Sequence, residues 1–231
     1  MEKSSRIEKG ITRESIKFAW NKFKENWLPL AGIALVYAVI NYVPELFKDN
    51  TTHMYNPKFV PVNLILSIIA VIISYGTLKI SIKLARNEKL VVSDMWNINF
   101  NAFLKYVVAY ITYFLIVFGG LILLIVPGVV WAFKYIFLPY LVVDKNMKIK
   151  EAMKKSGEIT YNCKIKIFIL SVALAILNIL GMLVFGLGVL VTLPITWIAM
   201  GYVYNKLLNE NGESQENDNS ETPMTETTPQ A

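Results

Sequence analysis

Residues 100–143 read FNAFLKYVVAYITYFLIVFGGLILLIVPGVVWAFKYIFLPYLVV, an apolar run interrupted by only two charged side chains, Lys105 and Lys134. A helix needs about 20 apolar residues to cross the ~30 Å hydrocarbon core of a bilayer with its peptide groups satisfied internally. The stretch is long enough for two crossings, so it predicts a hairpin of helices over 100–118 and 121–143. Gly119 and Gly120 supply the turn, since glycine accepts positive φ without steric cost. A turn at Pro127-Gly128 meets the same length criterion. With the glycine turn, Pro127 falls inside the returning helix, where its missing amide should kink the backbone.

Working outward, residues 27–47, 61–85, 165–185 and 188–208 also qualify as spans, and GLG at 186–188 joins the last two as a second tight hairpin with Pro194 in its returning helix. The expected fold class is therefore all-α and integral to the membrane: six transmembrane helices in hairpins within 1–208. Composition agrees, because 55% apolar and only 17% charged residues leave too little charge to cover a soluble domain. The apolar run from Trp27 follows seven Lys or Arg and no small-residue cleavage site, which does not read as a cleaved signal peptide.

Charge sets the orientation. Seven Lys or Arg precede Trp27, seven lie between Lys145 and Lys166, and Lys79, Lys83, Arg86, Lys89 and Lys105 surround the second-to-third connection, whereas both glycine turns carry none. Cations collect on the cytoplasmic side, so the expectation is a plasma-membrane protein with both termini in the cytoplasm. Residues 209–231 carry six acids and no Lys or Arg, and read as a disordered acidic tail. Without it the chain has net +12, the difference between +6 overall and the tail's −6. Because the basic residues flank spans, the partner they fit is anionic lipid rather than nucleic acid.

The hairpins echo one another. An offset of 67 residues lays VFGGLILLIVP (117–127) on VFGLGVLVTLP (184–194), matching Val117, Phe118, Gly119, Leu123 and Pro127, and brings Tyr135 onto Tyr202. Amphipathic segments precede hairpins. Ile16, Ala19, Trp20, Phe23 and Trp27 form an apolar stripe beside Arg13, Lys17, Asn21 and Lys24, while Ile149, Ala152, Met153, Ser156 and Thr160 share a face opposite Lys150, Lys154 and Lys155. Both predict interfacial helices on the inner leaflet, over 11–26 and 148–160. A weaker pattern, Val92, Met95, Trp96, Asn99 and Phe103, precedes the third span.

Chemistry is sparse. Cys163 is the one cysteine and His53 the one histidine, so neither a disulfide nor a metal site of familiar spacing is expected, and no cofactor is expected. Ser156 has no His or Asp beside it, and the glycine turns lack the Lys-Ser/Thr continuation of a phosphate loop. Trp20, Trp27, Trp96, Trp131 and Trp197 mostly fall near span ends, where amphipathic rings anchor helices.

From Gly119 to Leu208 the order LIVPGVVWAFKYIFLPYLVVDKNMKIKEAMKKSGEIT, then a hairpin with GLGVLVTLP and a Tyr-rich final helix, resembles a superfamily of prokaryotic multi-pass membrane proteins of unknown function. That superfamily includes the membrane region fused to some glycerophosphodiester phosphodiesterases. The resemblance rests on Lys134, Pro139, Asp144, Ala152 and Ser156, which match its basic residue in the fourth helix, its Pro and acid, and its Ala-x-x-x-Ser helix. It implies the multi-pass fold and no activity, since no phosphodiesterase domain is present.

Lys134 lies about 15 Å inside the fourth span at ~1.5 Å per residue, where a cation costs about 2.5 to 3.5 kcal/mol. It either binds an anion or pairs with a carboxylate, or it snorkels or contacts carbonyls freed by a proline. Lys134, Asn178 and Thr192 form the candidate buried polar site. The leading expectation is a non-enzymatic protein engaging anionic inner-leaflet lipid, or a membrane-protein partner, in envelope or lipid homeostasis. The alternative is a small transporter or channel subunit for an anionic or lipid-like solute.

Overall fold

The computed structural model describes residues 10–43, 60–183 and 187–220, with 212–220 as backbone alone. Among the described residues every regular element is a helix: α1 (Ile11–Glu25), α2 (Trp27–Tyr42), α3 (Val60–Ala85), a 3-10 turn (Val92–Met95), α4 (Phe100–Leu123), α5 (Ile125–Lys134), α6 (Leu138–Lys145), α7 (Ile149–Ile159), α8 (Lys164–Leu183) and α9 (Val189–Ser220). The ends of the expected first and fifth spans (44–47, 184–185), Gly186 and residues 221–231 lie outside the described residues.

Four stretches are long and apolar enough to cross a membrane: α3, α4, α5 with α6 (Ile125–Lys145), and α8. The pair α1 and α2, bent by 101° at Asn26, makes a fifth if the two are one span. Only 17% of the most apolar stretch of α4 and 22% of that of α8 are buried within the protein. Phe114, Ile122, Ile165 and Ile179 therefore stand exposed, an arrangement suited to lipid rather than water.

The bend at Asn26 has a local cause. Asn26 closes α1 by giving its side-chain amide to the Lys22 carbonyl (3.1 Å), and its own carbonyl then accepts from Leu30 N–H in α2. Lys22 and Lys24 in the last turn of α1 offset the partial charge of its carbonyl end. The face that α1 buries is Ile11, Ser15, Ala19 and Phe23, while Trp20 and Trp27 are exposed. Its contacts are chiefly with α9, which also packs on α2, α3 and α8 and forms the axis of the bundle. Ile198, Ala199, Val203, Tyr204 and Leu207 of α9 are almost fully buried.

Three local expectations need correction. The first hairpin does not turn at Gly119-Gly120, nor at Pro127-Gly128: α4 runs through both glycines to Leu123, and an extended Leu124 (φ −163°, ψ 143°) reverses the chain. The glycines serve packing instead. A Cβ on Gly120 would sit 2.8 Å from Cα of Gly128, and one on Gly128 2.6 Å from the Leu121 nitrogen, so α4 and α5 meet backbone to backbone. Pro127 consequently lies in the first turn of α5, where its missing N–H is one that the helix would leave unused, and the expected kink has no cause there. Pro194, by contrast, is inside α9.

The segment at Val92 is a 3-10 turn of four residues rather than an amphipathic helix. Ser93, Asp94, Asn97 and Asn99 favour turns and caps over helix interiors. Asn99 does cap α4, accepting from the N–H of Asn101 (3.0 Å) and Ala102 (3.3 Å). Lys79 and Lys83 of α3 hold the turn through the Asp94 and Asn97 carbonyls (both 2.9 Å) and the Asp94 carboxylate (2.6 Å).

Past Leu208, where the tail was expected to be disordered, α9 continues as far as Ser220. Helix propagation costs far less than nucleation, so Glu- and Gln-bearing residues can extend a helix already anchored by packing.

Candidate functional site

The membrane-length stretch Ile125–Lys145 is broken immediately after Lys134. Pro139 has no N–H to return to the carbonyl of Tyr135, which accepts instead from Leu138 N–H (3.0 Å), and α5 stops with the Lys134 carbonyl unused by its own helix. Two hydroxyls of α7 meet it: Ser156 Oγ donates at 2.9 Å and Thr160 Oγ1 at 3.1 Å. Both residues, and Ala152 one turn earlier, are fully buried. A Cβ on Gly157 would lie 3.0 Å from Lys134 Cε, so the lysine stem runs against the bare backbone of α7. Lys134, Pro139, Ala152 and Ser156 are thus brought together as a joint between the broken span and α7. The ammonium group of Lys134 sits 5.1 Å from the Tyr135 ring centroid, in a half-buried side chain, and makes no ion pair among the described residues.

Asp144 is placed at a second joint. Its Oδ2 accepts from Arg86 Nη2 (2.6 Å) at the end of α3 and from the Tyr204 hydroxyl (2.9 Å) of α9, with Lys145 Nζ at 3.9 Å. The carboxylate is 6% exposed, and its hydrogen bond to Arg86 pushes the guanidinium pKa still higher than usual. Arg86 Nε also reaches Asn205 Oδ1 at 3.4 Å. One buried carboxylate therefore ties α3, α6 and α9 together.

Asn178 and Thr192 share the interface of α8 and α9, apart from Lys134. Asn178 Nδ2 donates to the Leu174 carbonyl and to Thr196 Oγ1, both at 2.9 Å, and Thr196 donates to the Thr192 carbonyl. Asn178 Oδ1 and Thr192 Oγ1 remain buried without a partner among the described residues. Gly181 packs directly on Gly188 and Thr192, again a backbone-to-backbone crossing. The three residues grouped from the sequence as one polar site thus divide between two places.

Two concavities lie among these helices. One is an open groove of about 770 Å³ between α1 and α8, lined by Arg13, Lys17 and Lys166 together with Ile11, Ile16, Trp20 and Ile169. Among the described residues none of its three cations is ion-paired and no acid lines it. The other is a half-open cavity of about 270 Å³ among the helices, walled by Tyr37, Tyr106, Tyr110, Tyr113, Tyr140 and Trp197, with Ser74, Thr77 and Ser81 on α3. Ile136 and Pro139, at the break, also line it, but Lys134 does not. The sequence signal for this cavity was the spacing of Tyr106, Tyr110 and Tyr113, which puts three phenols on one face of α4, and it passes unnoticed because aromatic residues at that spacing ordinarily build a core. Among the described residues no group of three or more His, Cys, Asp or Glu could hold a metal.

These features define an all-helical protein with apolar helices of membrane-crossing length. Compared with protein-family models, with curated proteins and with solved structures, the chain matches none.

Proposed function

We propose that this chain is a non-enzymatic, six-pass protein of the cell membrane that holds anionic inner-leaflet lipid in the groove between α1 and α8 and serves envelope or lipid homeostasis. In this reading α2 is the first crossing and α9 up to Leu208 the sixth, α1 and α7 lie along the inner leaflet, and both termini are cytoplasmic. It accords with the superfamily of multi-pass membrane proteins that the sequence resembles. The observation that carries it is the groove itself, where Arg13, Lys17 and Lys166 stand beside Ile11, Ile16, Trp20 and Ile169 with no carboxylate among the described lining residues. That pairing matches a lipid, whose phosphate would meet the cations while its first methylenes lie on the apolar wall. Each basic residue near an anionic surface contributes about 1 kcal/mol. An anion route through Lys134 has less support, because that side chain lies outside the uncharged central cavity.

The test is retention of lipid. Native mass spectrometry of the full chain, purified with phosphatidylglycerol and phosphatidylcholine at equal amounts, should show preferential phosphatidylglycerol adducts. The R13Q/K17Q/K166Q variant should lose that preference by at least tenfold. Equal adducts in wild type and variant would remove the groove from lipid binding.

A further inference from the structure

The central cavity is independent of the groove and has its own chemistry. Among the described residues its wall carries no charged side chain, although the chain has net charge +6. A charged occupant would leave water for an uncharged chamber among membrane-length helices, at a cost of several kcal/mol. An uncharged molecule meets no such barrier.

Hydrogen-bond accounting narrows the class further. The hydroxyls of α3 have already committed their hydrogens: Ser74 donates to the Ala70 carbonyl (2.8 Å), Thr77 to Ser74 (2.9 Å) and Ser81 to Leu78 (2.7 Å). Tyr113 donates to the Ala132 carbonyl at 3.2 Å. Tyr37, Tyr106 and Tyr110 have no hydrogen-bond partner among the described residues; all three line the cavity, Tyr106 fully buried at 3% exposed, Tyr37 half-buried and Tyr110 exposed at the cavity mouth. Buried phenols ordinarily find a partner. The donors still open on the wall are therefore these phenols, and an occupant with acceptor oxygens satisfies them.

The remaining wall is aromatic. Tyr37 and Trp197 meet edge to face with centroids 5.6 Å apart, and Tyr106 and Tyr110 lie 5.6 Å apart. Flat faces of this kind favour a planar body. The volume equals about nine waters at ~30 Å³ each, enough for one substituted ring.

We infer that this cavity binds an uncharged, planar, carbonyl-bearing ring compound of the quinone-headgroup class, with Tyr37, Tyr106 and Tyr110 donating to its oxygens and Trp197 packing on its ring. Binding alone is proposed, with no electron transfer. Duroquinone is a suitable probe, read by quenching of tryptophan fluorescence in the full chain in detergent, with Trp197→Phe identifying the responding residue. Quenching should be saturable and largely lost in Trp197→Phe. The Tyr106→Phe/Tyr110→Phe variant, which keeps both rings and should keep the thermal midpoint, should bind about tenfold more weakly, as expected for two lost hydrogen bonds. Durene, the same ring without oxygens, should not compete. Unchanged affinity in the double variant, equal competition by durene, or displacement by tetramethylammonium would each overturn the proposal, the last by showing an aromatic cage for cations.

Discussion

The two hairpins α4–α5 and α8–α9 align by sequence at an offset of 67 residues, yet they use the shared residues differently. Each closes on a glycine crossing, Gly120 on Gly128 in one and Gly181 on Gly188 in the other, so close backbone approach is what they have in common. Their returning arms diverge. The first breaks after Lys134, where Pro139 withholds an amide, whereas the second carries Lys206 at the position aligned with Pro139 and continues unbroken to Ser220. Even the matched prolines differ, Pro127 lying in a first turn and Pro194 in a helix interior. The crossing glycines are not aligned by that offset, Gly120 and Gly128 falling on Leu187 and Ile195, so the two hairpins reach the same close approach from different positions, and the repeated motif fixes neither where the chain turns nor whether the returning helix is continuous.

The glycine crossings offer the largest effect. Gly128→Ala, whose Cβ would lie 2.6 Å from a backbone nitrogen, should destabilise the protein by about 3 kcal/mol, with Gly188→Ala at least as costly. Gly119→Ala, next to the crossing but with nothing within 4 Å, should stabilise by about 0.5 to 1 kcal/mol through helix propensity. Thermal unfolding in detergent reads all three, and equal responses at Gly119 and Gly128 would show that close approach is not what the glycines provide.

The clamp at Asp144 separates the arms in another way, because it ties the end of the broken one to α3 and α9. Asp144→Ala should cost about 3 kcal/mol by stranding Arg86 and the Tyr204 hydroxyl, a figure at the low end for buried pairs because Arg86 is 31% exposed. Urea or thermal denaturation would measure it, and a loss under 1 kcal/mol would make the contact incidental.

The break itself gives the smallest effects. Ser156→Ala and Thr160→Val should each cost about 1 kcal/mol, and the double variant more than their sum, since only then does the Lys134 carbonyl lose both donors. Lys134→Met, which keeps the stem and removes the charge, should stay within about 0.5 kcal/mol of wild type. A large loss there, on the same thermal scale, would restore the side chain rather than the carbonyl as the important group.

By itself, the sequence determined the helical class and four of the expected membrane-length apolar segments, because hydrocarbon thickness and peptide satisfaction act on each segment alone. It also marked Lys134, Pro139, Asp144, Ala152 and Ser156 as positions worth explaining. It did not determine that Ser156 serves a carbonyl 22 residues away, that Asp144 meets Tyr204, or that Asn178 and Thr192 sit apart from Lys134. Nor could it separate a packing glycine from a turning one, since both use the missing Cβ and differ only in what stands opposite. The cavity of phenols and the groove of cations belong to the tertiary structure for the same reason. Each is assembled from helices far apart in the chain, and whether a hydroxyl or an ammonium group finds a partner depends on which of them pack side by side.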